Sequence, residues 1–224
     1  MPGGRGKLPV LAEISGPVAG AEGAWSLRGQ DFERLAAVRE RLDGKGAVLV
    51  TGADEPARVL AASLAGATAA AGRRTVLLDC DLAQPRLATD LGLAQTPGLH
   101  EYLRWEATPP ELLQPLVLAG PASAGAIEPL VCIAAGRGAS DPGTLLGLQS
   151  FRHMATKLRS AYELVILAGP AIDDGEESLA ALAAQADSVL VALPGRQSGR
   201  EARELRDAVR RLPAEPLGAV VVKG

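Results

Sequence analysis

AVLVTGADEPARVLAASL, residues 47–64, reads as a buried strand, a tight turn and a helix. Ala47-Val48-Leu49-Val50 is a short apolar run, β-branched in part, and suits a strand covered on both faces. Gly52 breaks the run. Asp54, Glu55 and Pro56 then supply helix-start chemistry, with acids at the positive dipole end and a proline where no N–H is needed. Val59, Leu60, Ser63 and Leu64 recur at helical spacing. Strand–loop–helix units of this kind are where phosphate-binding loops sit.

The loop itself lacks phosphate chemistry. A Walker A loop uses several glycines so that backbone N–H groups converge on the anion, a Lys for the outer phosphates, and a Ser or Thr for magnesium. Thr51 to Val59 has one glycine, Gly52, and no Lys. Asp54 and Glu55 put negative charge where a polyphosphate would lie, at roughly 4 kcal/mol for one contact of about 4 Å at an effective dielectric near 20. The spacing predicts instead that Asp54, helped by Glu55, caps the helix and fills the phosphate position. Arg58, one turn in, is expected to point outward.

The remaining chain alternates strands and helices. Strands are expected at Arg74–Asp79, Leu130–Ile133, Leu164–Leu167, Ser188–Leu193 and Gly218–Val222, six in all with the first. An amphipathic helix is expected over Asp31–Leu42, further helices over Leu145–Ser160 and Leu179–Ala186, and a charged one over Arg200–Leu212, with a proline-broken region of short helices over 82–114. Residues 1–30 are Gly- and Pro-rich and read as a linker or arm, with Leu8–Leu11 a short extended anchor. Residues 31–224 read as one domain. The pattern predicts an α/β three-layer sandwich, a mostly parallel sheet with helices on both faces, of the P-loop NTPase type. Ligands of such sheets bind beyond the carboxyl ends of the strands, where Thr51, Asp79, Ala134, Ala168 and Pro194 are expected to surround one crevice.

Composition narrows the function classes. Hydrophobic residues make up 47% of the 224 and aromatic residues only 3%, so the core is built from Ala, Leu and Val. A formal charge of -3 argues against a general nucleic-acid surface. Cys80 and Cys132 lie in strand-like contexts and read as buried thiols of a reducing cytoplasm. No run is long and apolar enough to span a membrane, and no signal peptide is visible. His100 and His153 have no ligand-spaced partner.

The chain resembles the deviant-Walker ATPases related to MinD and ParA, and most closely the bacterial tyrosine kinase (BY-kinase) domain. Leu8–Ile14 is similar to the linker that follows the family's second membrane helix. Leu77 to Leu82 with Pro85 looks like the Walker A′ motif, and Pro97-Gly98-Leu99 the family's PGL segment. Asp141-Pro142 with Leu145-Leu146 matches its NP-x-x-LL helix start, and Tyr162 to Pro170 its Walker B strand. The resemblance sets Ala57 at the Walker A Lys, Arg58 at the magnesium hydroxyl and Ala168 at the Walker B aspartate. Lys223 falls at the adenine-contacting Asn. Asp79 and Asp81 keep the Walker A′ acids, whose bland role is to accept hydrogen bonds from loop amides. The E-x-x-R-x-x-R assembly helix and the C-terminal tyrosine cluster are unmatched.

The resemblance implies a degenerate crevice formed by Gly52, Asp54, Glu55, Ala57, Arg58, Asp79, Asp81, Ala168 and Lys223, with no catalytic or metal-ligating residue and no cofactor. It implies a scaffolding module for extracellular polysaccharide biosynthesis, partnered with a membrane polysaccharide co-polymerase at the cytoplasmic face of the plasma membrane. It leaves open a homo-oligomer. Two alternatives remain: a weak ATPase or tyrosine autokinase using ATP and magnesium at Asp79 and Asp81, and a MinD/ParA-like positioning protein.

Overall fold

A computed structural model describes residues 8–19, 25–26, 29–116, 130–196 and 200–224. Its main sheet has eight strands: β1 (Val10–Ser15), β4 (Ala47–Gly52), β5 (Thr75–Asp79), β6 (Gln114–Leu116), β7 (Leu130–Ile133), β8 (Leu164–Ala171), β9 (Ser188–Pro194) and β10 (Glu215–Lys223). A two-stranded ribbon, β2 (Val18–Ala19) with β3 (Trp25–Ser26), stands apart from it. The order across the main sheet is β1-β10-β9-β4-β8-β5-β7-β6. Every pairing is parallel except β6 with β7.

The central strands are apolar because both their faces are covered. All six residues of β4 and all five of β5 are buried. Alternation along β4 sends Val48 and Val50 into one core and Ala47 and Leu49 into the other. The first core is roofed by α3 (Asp54–Ala70), over which lie α1 (Gly29–Arg34) and α2 (Ala36–Arg41). Sandwiched between sheet and helices, α3 is buried nearly all round, and its many alanines are what lets two layers approach it. The second core is closed by α5 (Leu99–Leu103), α8 (Gln149–Ala161), α9 (Glu176–Ala183) and α10 (Glu201–Val209), through Leu99, Phe151, Met154, Leu182 and Val209. Short helices α4 (Leu87–Asp90), α6 (Pro109–Leu112) and α7 (Pro142–Leu146) fill the connections.

Besides the β2–β3 ribbon, the structure adds two strands to the six expected in the main sheet, and both are edges. β1 pairs with β10, so the sheet reaches back into the stretch read as an arm, and Ile14 enters the core. β6 carries Pro115, which a central strand excludes and an edge tolerates. Residues 31–42 form two short helices that bend at Leu35 rather than one. Their apolar face packs as the pattern requires: Leu35, Val38 and Leu42 are fully buried and Phe32 partly so. Asp31 ties this pair to the sheet edge, accepting from Ser15 N at 3.2 Å and from Arg34 at 3.0 Å. The helix expected over 145–160 is divided into α7 and α8, with Asp141 capping the first by accepting from Thr144 N at 3.2 Å. Cys80 and Cys132 are buried thiols, as their contexts indicate. Among the described residues, no helix is long and apolar enough to cross a membrane.

Candidate functional site

One residue, Ala53, separates β4 from α3. That turn is held on both sides by its neighbours in the sheet. Gly52 O accepts from Ile172 N at 3.0 Å, and Ala53 N donates to Ala192 O at 3.2 Å. Thr51 Oγ1 donates to Pro170 O at 2.8 Å. Gly52 has φ 141, and a Cβ there would lie 2.1 Å from Ala192 O, so only glycine fits. Pro56 has no N–H and Ala57 N donates to Ala53 O, which leaves the Asp54 and Glu55 amides at the helix start.

Asp54 is not the cap. The N-cap position is Ala53, with no side-chain hydrogen bond, and Asp54 is the first helical residue. Its carboxylate instead accepts from Arg58 Nη1, one turn on. Arg58 also departs from expectation. It lies inward, 8% exposed, with Nε donating to Asp90 Oδ2 at 2.7 Å and the guanidinium 5.9 Å from the centre of the Trp25 ring. Burial works against its charge, but the hydrogen bonds to Asp90 and Asp54 prevail and hold the guanidinium firmly protonated. The sequence gives Arg58 no local reason to turn inward, because Asp90 is 32 positions away.

Asp79 and Asp81 stand at the end of β5 beside this triad. Asp79 Oδ1 accepts from Asp81 N at 3.2 Å, and Asp81 Oδ1 from Gln84 N at 2.9 Å, the loop-amide role anticipated for them. Asp79 Oδ2 is buried without a partner. Burial pushes the Asp79 carboxyl up to about 8, and neighbouring Asp81 adds to the rise. Asp81 is raised too, chiefly by burial, with Asp54 contributing and Arg58 opposing. Four carboxyl groups thus gather round one guanidinium. Burial favours the neutral form of Asp79, and the acids outnumber the guanidinium. Ala57 and Ala168 are buried alkyl positions. Ala168 pairs with Asp79 across the sheet, and its carbonyl accepts from Cys80 N at 2.8 Å.

The expected common crevice is divided in two. Asp79 and Ala134 border a small void of about 10 Å³, room for no more than a water molecule. Glu55, Pro194, Arg196 and Lys223 line a separate groove of about 680 Å³ on the other side of the helix start. Lys223 Nζ is paired there with Glu13 of β1, a contact made possible by the edge strand. Among the described residues, no three His, Cys, Asp or Glu side chains converge as metal ligands do.

The fold as a whole has close counterparts among solved structures. The kinase domain of Escherichia coli tyrosine kinase ETK superposes with a TM-score of 0.79 over 96% of this chain and 90% of that one, at 16% identity. The BceF tyrosine kinase domain gives 0.74 over 96% and 93%, at 17% identity. The fold is that of the bacterial tyrosine kinase domains. The septum site-determining protein MinD of Pyrococcus horikoshii, complexed with Mg-ADP, shares it more distantly, with a TM-score of 0.59 over 78% of this chain and 68% of that one, at 15% identity. No family model and no curated protein sequence matches the chain. In this chain a single residue, Ala53, joins β4 to α3, and the Asp54–Arg58–Asp90 triad lies behind it.

Proposed function

We propose that this chain is a catalytically degenerate member of the bacterial tyrosine kinase group, a binding and scaffolding module of an extracellular-polysaccharide system rather than an ATPase. The observation that carries the reading is the Asp54–Arg58–Asp90 triad in the place where a phosphate cradle would open. ATP–Mg²⁺ does not fit these residues. The cradle has an alanine where the Lys belongs, a committed Arg where the metal hydroxyl belongs, and Ala168 where an acid would order the metal. Losing several charge-assisted contacts, each worth about 1.5–3 kcal/mol, pushes affinity to about millimolar or weaker.

The partner in this reading is a membrane polysaccharide co-polymerase, with the domain at the inner face of the membrane. Calorimetric titration with ATP–Mg²⁺ tests the first half, and a micromolar dissociation constant overturns it. Polymer yield and chain length in the host test the second half. Deleting the gene should alter them, whereas Asp79→Asn with Asp81→Asn should not. If the double variant behaves as the deletion does, the acids carry chemistry and the autokinase or ATPase reading replaces this one.

A further inference from the structure

Three helices end in the same hydrogen-bonded turn. After α3, Gly72 N donates to Ala69 O and Arg73 N to Thr68 O. After α4, Gly92 N donates to Thr89 O and Leu93 N to Ala88 O. After α5, Trp105 N donates to Tyr102 O at 3.0 Å and Glu106 N to Glu101 O at 2.8 Å. This turn puts one residue in the left-handed region, where glycine is favoured. Gly72 and Gly92 meet it at φ 80 and φ 68, but at φ 65 the third turn carries Trp105. That indole is 83% exposed, so it stands against both backbone preference and apolar exposure.

Trp105 overhangs a groove of about 810 Å³ between the α5–α6 turn and α8, a volume within the range of small-molecule sites. Tyr102 forms the same wall as Trp105. Gln149, Ser150, His153 and Lys157 of α8 form the opposite one. The two acids on the rim are already engaged. Glu106 accepts from Arg104 at 2.9 Å and from Arg137, and Glu111 accepts from Thr108 N and Oγ1 at 2.7 and 2.6 Å. His153 and Lys157 make no hydrogen bond or ion pair with the described residues. The groove therefore offers an aromatic face, a hydrogen-bonding wall and, in Lys157, a cation without a partner among the described residues; two arginines offset Glu106, while Glu111 keeps its own charge at the far end of the lining.

We propose that this groove is a binding site for a ring-bearing anion. The ring stacks on Trp105, its polar edge meets Gln149 and Ser150, and its phosphate or carboxylate lies against Lys157 and His153. A mononucleotide and a sugar phosphate share that chemistry. The site is remote in the fold from the Asp54–Arg58–Asp90 triad and owes nothing to it.

Calorimetry and tryptophan fluorescence on the full chain, in magnesium-free buffer, should be run with uridine 5′-monophosphate, glucose 1-phosphate and inorganic phosphate. At least one ring-bearing anion should bind about tenfold or more tighter than inorganic phosphate, since stacking adds to the charge contact. The preferred one tells base from sugar. Trp105→Gly should lose about tenfold in affinity while melting at the same or a higher temperature, because glycine suits the turn. Lys157→Ala should weaken binding and flatten its salt dependence. No binding of either ring compound at about 10 mM, binding of phosphate as tight as the ring compounds, or unchanged binding in Trp105→Gly overturns the proposal.

Discussion

Arg58 Nε donates to Asp90 Oδ2 at 2.7 Å, joining the first turns of α3 to the end of α4 across the crevice at the sheet's carboxyl edge. A single guanidinium, buried and bonded also to Asp54, offsets the acids around it. Three of the four nearby carboxyls sit on segments outside α3, so the contact is tertiary and its removal is felt by all of them.

Replacing Arg58 by Met keeps its bulk and removes the charge. Breaking a largely buried pair by deleting one partner should lower stability by about 3 kcal/mol. Asp54→Ala should cost under about 1 kcal/mol, since Asp54 is half-exposed and caps nothing. Urea denaturation of both variants and of Asp90→Ala checks the ranking. A cost for Asp54→Ala as large as that for Arg58→Met would restore a capping role to the aspartate.

Asp79 makes stability fall as pH rises. Its folded-state pKa, pushed up to about 8 by burial, exceeds the ordinary value of 3.8, so the folded chain binds the extra proton between them. The favourable contribution is complete below about pH 4 and is lost as pH climbs through about 8. Asp79→Asn should remove that slope, making the variant relatively more stable at pH 8 than at pH 5. Parallel slopes for the two proteins across this window would contradict the assignment.

Glu101 works in the opposite sense. Burial raises its pKa, but hydrogen bonds from Gly98 N at 2.8 Å, Arg137 N at 3.1 Å and Arg137 Nε at 2.9 Å, with His100 beside it, bring the carboxyl down to about 2. Its contribution is present above the ordinary 4.5 and disappears as pH falls through about 2. Glu101→Gln should therefore cost about 2 kcal/mol at pH 7, and the gap should close in acid. Thermal melts at pH 7 and pH 3 measure it; a gap unchanged between them refutes the charge argument.

Gly52→Ala should be among the most damaging single changes. The new methyl would meet the backbone oxygen of Ala192 at 2.1 Å, in the middle of the sheet where neither strand can give way. A loss of at least about 3 kcal/mol is expected. Soluble expression and circular dichroism give the readout, and a variant melting within about 2 °C of the parent would show that the turn can relax.

The sequence by itself determined the layers. Apolar runs such as 47–50, 75–78 and 164–167 can be strands only if both faces are covered, and that requirement is local and readable. The glycine at position 52 and the apolar face of 31–42 were legible for the same reason. The residue types on which the proposed loss of phosphate chemistry rests, at Ala57, Arg58 and Ala168, were readable too. Tertiary structure decided where the charges went. Helical periodicity places Arg58 on a side of α3, but only the chain returning through Asp90, with Trp25 beside the guanidinium, turns that side into an interior. Asp54 follows Arg58, not the helix start. The edge strands β1 and β6 escaped the pattern because an edge is covered on fewer sides and tolerates polar residues and proline. Trp105 reads as one more apolar residue until the turn after α5 is seen, since a left-handed backbone is a property of the hydrogen bonds that close the helix and not of the tryptophan.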